Sequence, residues 1–328
     1  ADCLRGEIVT TGTTRTYFLS PLACDLSMTT PHRSVYLGSA ANIVIRLTLE
    51  SDAIALQHNS GTPSYSVERP ELIIDSTFLE RETMDALNKA VGGSYNMLCN
   101  SYDHMSAIVG AGTTSSHIKL SFAKASLERI LFTVRPLGHT TDTSKFSLGS
   151  RGTGNMSQFQ LEVAGVDHPQ QPIKIEGDNA EAMYHLLKSD NIASNYSHGV
   201  VSLMNSYSVS GNFGTSSVGS FPSITKVNPY AVPGADVDGD SYGNSSVVPP
   251  LPSNIGTFMG AINLESNLTT SQNSPLYSGL NTKNGVDVYF KCDWGTGCIG
   301  GGVVIDFYSL SSELIYLEKD TNLWARKN

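Results

Sequence analysis

The chain has 328 residues, 40% of them hydrophobic and 16% charged, with 30 Gly, 14 Pro and a formal net charge of −9. That length is enough to bury a core in one large or two ordinary domains. The acidic balance excludes a surface built to coat nucleic acid, which needs clustered Lys and Arg. No apolar run approaches the roughly 20 residues of a membrane span.

Alternation of period two dominates from the first third onward. Ile43, Ile45, Leu47 and Leu49 fall on one side of an extended segment and Val44, Arg46 and Thr48 on the other, which predicts a half-buried strand. The run 71–79 is more continuously apolar and predicts a central strand. "STFLERETMDALNKAVGG" then offers Ser76 or Thr77 as a cap, a stripe of Leu79, Thr83, Leu87 and Val91, and Gly92-Gly93 as a stop, which predicts a helix. Ile118, Leu120 and Phe122 return to alternation, and the apolar run 127–135 again reads as a central strand. Phe159, Leu161 and Val163 alternate with Gln158, Gln160 and Glu162. "GDNAEAMYHLLKSD" places Glu181 three residues after Asp178, a capping-box spacing, with Met183, Leu186 and Leu187 as the buried face. Val286, Val288 and Phe290, then Val303, Ile305 and Phe307, close the series. Two short helices among ten or more strands predict a mainly β sandwich or barrel with antiparallel sheets.

Residues 205–257 break the pattern. They are rich in Ser, Gly, Asn and Pro, yet carry Tyr207, Phe213, Phe221, Tyr230 and Tyr242. A stretch this long without periodicity reads as a functional loop insertion, and its aromatic residues favour an ordered excursion packed on a neighbour.

Motifs that would carry chemistry are weak. "GTGCIG" at 295–300 has dinucleotide-fingerprint spacing, but "GGVVIDFYS" follows it, a strand where the fingerprint needs a helix. Asp236, Asp238 and Asp240 alternate like the start of a calcium loop, but Ser241 and Val247 stand where Gly and Glu are required; weak cation binding is the most this stretch supports. Asp167-His168 lies between Gly165 and Pro169, so a strand connection is favoured over a catalytic histidine. The eight histidines show no ligand spacing, and no HExxH, GxSxG or phosphate-cradling GxxxxGK[ST] occurs. Cys3, Cys24, Cys99, Cys292 and Cys298 contain no CxxC pair, which excludes a zinc ribbon and favours free thiols. Sequons at Asn155, Asn195, Asn244 and Asn267 are expected by chance in so Ser/Thr/Asn-rich a chain. No catalytic, cofactor-binding or metal residue is assigned.

The order of elements is more specific than any motif. "YFLSPLACDLSMTTPHRSVYLGSAANIVIRLTLE" followed by "PELIIDSTFLERETMDALNKA" resembles the closing part of the first jelly roll in double jelly-roll major capsid proteins. The relatives meant are those of virophages, polinton-like viruses and nucleocytoplasmic large DNA viruses. "IKLSFAKASLERILFTVRP" resembles the strand pair that opens the second jelly roll of that family. "SQFQLEVAGVDHPQQPIKIEGDNAEAMYHLLK" resembles its strand, Gly turn, Pro-containing return and helix, with Phe159, Leu161, Gly165, Pro169, Pro172, Ile173 and the 184–187 helix at matching places. "GTFMGAINLESN", "SGLNTKNGVDVYFKCDW" and "GGVVIDFYSLSSELIYLEKDTNLWAR" resemble its last strands.

The resemblance implies two eight-stranded antiparallel sandwiches. Residues 1–95 would supply the C-terminal part of the first jelly roll and a linker helix, and residues 96–328 the second jelly roll with the 205–257 insertion. Only about 75 residues precede the linker helix, so the first barrel is expected to be incomplete in this chain. The resemblance further implies a non-enzymatic homotrimer that forms pseudo-hexameric capsomers of an icosahedral virion shell, assembled inside the host cell. Its implied partners are neighbouring capsomers, minor capsid, cement or penton proteins and an internal membrane, with no sequence-specific nucleic acid. The alternative is a carbohydrate-binding or carbohydrate-active β-sandwich, for which Trp294 and Trp324 would be the sugar platforms.

Overall fold

A computed structural model describes residues 14, 16, 46–49, 51–56, 64–73, 78–90, 95–140, 152–175, 180–189, 258–265, 279–283, 285–318 and 323–327. Its helices are α1 (Asp52–Ala55), α2 (Arg81–Ala90) and α3 (Ala180–Ser189). Its strands are β1 (Tyr95–Val109), β2 (Ser115–Leu120), β3 (Leu127–Pro136), β4 (Met156–Val163), β5 (Val166–Lys174), β6 (Gly260–Asn263), β7 (Val288–Trp294), β8 (Val303–Glu318) and β9 (Leu323–Lys327).

Every named strand pair is antiparallel. One sheet runs β1-β8-β3-β6, with β9 extending it alongside β8, and the other runs β2-β7-β4-β5. The first eight strands thus pair from the outside inward: β1 with β8, β2 with β7, β3 with β6 and β4 with β5. Rolling such a ribbon until β3 meets β8 and β4 meets β7 closes two facing four-stranded layers. This is a jelly roll.

Alternation explains why the two layers adhere. Ile130, Phe132 and Val134 point inward from β3, Phe159, Leu161 and Val163 from β4, Val288, Phe290, Cys292 and Trp294 from β7, and Val303, Ile305 and Phe307 from β8. Phe132 is the hub, edge-on to Phe159 and Phe290 at 4.8 Å each and to Phe258 at 5.9 Å. Opposite Phe132 on β6 stands Gly260, where a Cβ would fall 2.1 Å from the ring. Only glycine leaves room for that ring. Helix α3 adds Ala182, Met183 and Leu186 to the same core, the face its periodicity predicts.

The sequence misreads three places. Residues 46–49 are exposed and form no strand, Leu47 being 61% exposed. Residues 71–73, at the start of the expected central strand, are likewise exposed and irregular. Leu79 and Thr83 of the α2 stripe are exposed as well. In each case the apolar pattern is present, but among the described residues no facing layer covers it, and pattern alone cannot supply a ladder. Conversely, β1, the 15-residue edge of the first sheet, went unread. Its inward residues include Met105, Ala107 and Val109, but Met and Ala blur the alternation.

Candidate functional site

Among the described residues the barrel interior is filled by rings and aliphatic side chains, and the charged clusters gather at its ends and outer faces. On the outer face of β2-β7-β4-β5, alternate positions carry a polar ladder. Lys119 Nζ meets Asp287 at 2.5 Å and lies 5.9 Å from the Tyr289 ring centroid. His117 stacks obliquely on Tyr289 at 4.4 Å and lies 3.8 Å from Glu162. Lys291 reaches Glu162 at 2.5 Å and Asp167 at 2.8 Å. The hydrogen bonds to Asp167 and then Glu162 raise the Lys291 ammonium above its ordinary range. A shallow depression of about 270 Å³ opens among His117, Gln158, Lys291 and Asp293, with Gln158 Nε2 donating to Asp293 at 2.6 Å. Exposed ion pairs of this kind add little stability; they leave a face whose charges are already matched.

Asp167 falls on this face. Val163 and Val166 are joined by Ala164 (φ 50°) and Gly165 (φ 80°), a tight two-residue hairpin whose positive φ values match the strand twist. Asp167 then pairs opposite Glu162 and His168 opposite Leu161. Farther on, the register slips between Leu161↔His168 and Phe159↔Ile173, so 169–172 bulge outward. Pro169 and Pro172 lack the N–H that a ladder would need, and Gln160 Nε2 satisfies the Pro169 carbonyl at 2.7 Å. The dipeptide is a strand start.

The outer face of β1-β8-β3-β6 differs. Register places Tyr102 opposite Leu310, His104 opposite Tyr308 and Ile108 opposite Val304. Tyr102, Tyr308 and Ile108 are 46%, 39% and 69% exposed. Between them lies Asp306, 2% exposed, which accepts from Arg135 Nε at 2.6 Å and sits 3.4 Å from His104. Aromatic and aliphatic groups around a paired, buried charge suit a protein contact.

At one end, the inward positions of β8 beyond Phe307 become Ser309, Ser311 and Glu313. Lys124 is buried there, 2.7 Å from Asp103 and 2.8 Å from Glu313. Burial alone would lower its proton affinity, but the hydrogen bonds to both carboxylates outweigh it and the net shift is upward. Nothing in the local sequence signals this cluster, because its members come from three separate elements.

Residues 295–300 lie in the connection from β7 to β8, closed by Gly297 N–H to the Trp294 carbonyl at 3.0 Å. Cys292 and Cys298 are both free and buried. Burial, then Asp293 and Cys298, push the Cys292 thiol up to about 12, which leaves it protonated and a poor nucleophile. Trp294 is 1% exposed and offers no sugar platform. Glu181, read as half of a capping box, accepts from the Lys174 N–H at 3.2 Å. Asp178, Asp236, Asp238, Asp240 and the 205–257 stretch lie outside the described residues. Among the described residues no three His, Cys, Asp or Glu side chains converge as a metal site, and no helix is long and apolar enough to cross a membrane.

No family model matches the chain, and no curated protein matches it. Solved structures do. The likeness is to virus capsid structures. The crystal structure of PBCV-1 VP54, fitted into a reconstruction of the virophage Sputnik, aligns with a TM-score of 0.37 and 9% identity over 76% of this chain and 55% of its own. The quasi-atomic PBCV-1 virus capsid aligns at 0.35 and 7% identity, covering 72% and 52%, and the mavirus major capsid protein at 0.32 and 9%, covering 72% and 41%. The chain therefore spans about half the length of the structures it matches. The fold assignment rests on the strand order itself.

Proposed function

We propose that this chain is a major capsid protein whose work is association, with residues 1–95 belonging to a first barrel and 96–328 to a second. The observation that carries the reading is the jelly roll with a solidly filled interior. Jelly rolls serve as shells, lectins and cupins. A cupin-like site needs space inside the barrel, which here is occupied by Phe132, Phe159, Phe290 and Phe307. Trp294, one of the two tryptophans that a lectin reading would use, is buried in the same packing. What remains for function is the exterior.

Three subunits with two similar barrels each would present a six-fold outline, and a lasting trimer buries thousands of Å². The face bearing Tyr102, Tyr308 and Ile108 supplies aromatic and aliphatic contact, while the matched ladder on the opposite face suits a wetter neighbour. Neighbouring capsomers, minor capsid proteins and an internal membrane are the partners of this reading, and the virion shell its location.

Light scattering on the purified chain tests it, with negative-stain images of the same peak. A particle of about 105 kDa, three times the 35.1 kDa chain, with a hexagonal outline supports the proposal. A monomer retained on a glycan column refutes it.

A further inference from the structure

The two open sides of the sandwich are finished differently. β5 and β6 are the layer edges on one side, β1 and β2 on the other. Helix α3 closes the first side. Its Glu181 accepts from the Lys174 N–H of β5 at 3.2 Å, its Lys188 carbonyl accepts from Asn263 Nδ2 of β6 at 3.3 Å, and Ala182 and Leu186 are buried beneath it. Among the described residues no element covers the second side. There Met105 and Ala107 of β1 and Ile118 of β2 pack against the core yet stay half-buried.

The β1 edge is built to accept a strand. Its 15 residues pair with β8 without a register shift. A long, regular edge offers a row of N–H and C=O groups to any strand laid beside it, and natural edges are blunted with Lys, Pro or bulges. β5 has Pro169, Pro172 and a register slip, and β2 carries Lys119. β1 has no Lys, Arg or Pro, and its one carboxylate, Asp103, is engaged by Lys124 at 2.7 Å.

The chain itself carries a segment of matching pattern. Leu47 and Leu49 alternate with Arg46 and Thr48, and all four are exposed. One apolar and one polar side is what a strand needs if it covers an apolar seam and faces water behind. The other exposed apolar stretch does not fit. Leu72 and Ile73 are adjacent, so on a strand one of them would point back into solvent. Because 46–49 are exposed within their own chain, the seam they cover belongs to a second copy.

We propose that residues 46–49 of one copy add as a strand to the β1 edge of a second copy, with Leu47 and Leu49 over Met105, Ala107 and Ile118 and with Arg46 and Thr48 toward solvent. Backbone hydrogen bonds along β1 supply the affinity, and the two leucines set the register. The inference rests on the reading that copies of this chain associate, and it names the surface and the segment that meet.

Photo-crosslinking of the full chain, with p-benzoylphenylalanine in place of Leu47, tests it. Irradiation of the associated protein is expected to give a species of twice the chain mass on a denaturing gel, its adduct mapping by mass spectrometry to 95–109 or 115–120. Adducts of single-chain mass, or adducts to other peptides, overturn the proposal. A trimer that lacks the expected adduct overturns the strand addition alone, whereas a chain that stays monomeric overturns it together with the capsid reading. Hydrogen exchange on the unsubstituted chain gives a reading that does not depend on the variant folding. Amides of 46–49 are expected to exchange at least roughly tenfold more slowly in the associated protein than their intrinsic rates. Exchange at the intrinsic rate overturns the proposal.

Discussion

Replacing Gly260 with alanine is the sharpest probe of the packing that makes this barrel solid. The new Cβ falls 2.1 Å from Phe132 Cζ and 2.2 Å from Cε1, against an ordinary contact of about 3.5–4 Å. The ring must retreat by about 1.5 Å to relieve the overlap. It is fully buried, with Phe159 and Phe290 at 4.8 Å and Phe258 at 5.9 Å, so it has nowhere to go without moving a second ring. Overpacking of this kind costs about 3 kcal/mol, the upper end of the usual range. For a domain of this size that lowers Tm by roughly 6–12 °C, read by circular dichroism melts and urea midpoints. Phe132→Leu alone opens a void worth about 1–2 kcal/mol. Combined with G260A it supplies the space the methyl needs, so the double variant is expected to be more stable than the sum of the two losses by at least about 1 kcal/mol. Strict additivity, or an unchanged Tm in G260A, would refute the argument that Gly260 is there for the ring.

Three further outcomes follow from the same geometry. Ala164 holds φ 50° in the β4–β5 hairpin, so Ala164→Asn, which makes the Asn-Gly pair this turn favours, is expected to raise stability by about 0.5–1 kcal/mol in a urea titration. Asp306→Ala removes the buried carboxylate that Arg135 Nε meets at 2.6 Å and is expected to cost about 2–4 kcal/mol, whereas a double change to Asp306→Leu and Arg135→Met recovers most of that loss in thermal melts. Cys292, buried and pushed up to about 12, is expected to resist a thiol reagent at pH 8 in the native protein and to react fully in urea; rapid native labelling at Cys292, located by mass spectrometry, contradicts the burial described.

The hydrophobic pattern made the strands at 118–120, 127–135, 157–163, 288–290 and 303–307 legible, because one-sided burial in an antiparallel sheet writes itself as alternation. Phe159, Leu161 and Val163 face inward as their spacing predicts. The helix at 180–189 and its Met183–Leu186 face were legible for the same reason at period 3.6. A connection beside Asp167-His168 was readable from Gly165, which adopts positive φ freely, but the turn is Ala164-Gly165 and the dipeptide already belongs to β5. Pairing order was not legible. β1 lies against β8 across some two hundred residues, and no local property of either strand names its partner; only the closing of two layers over Phe132 decides it. The clusters that carry charge were equally hidden. Lys124, Asp103 and Glu313 are unremarkable residues in sequence, and the Lys124 ammonium acquires its raised proton affinity only when folding sets both carboxylates beside it. Alternation at 43–49 shows the converse: Leu47 and Leu49 carry the pattern of a buried strand and are exposed, because a strand's inner face is determined by the layer that covers it.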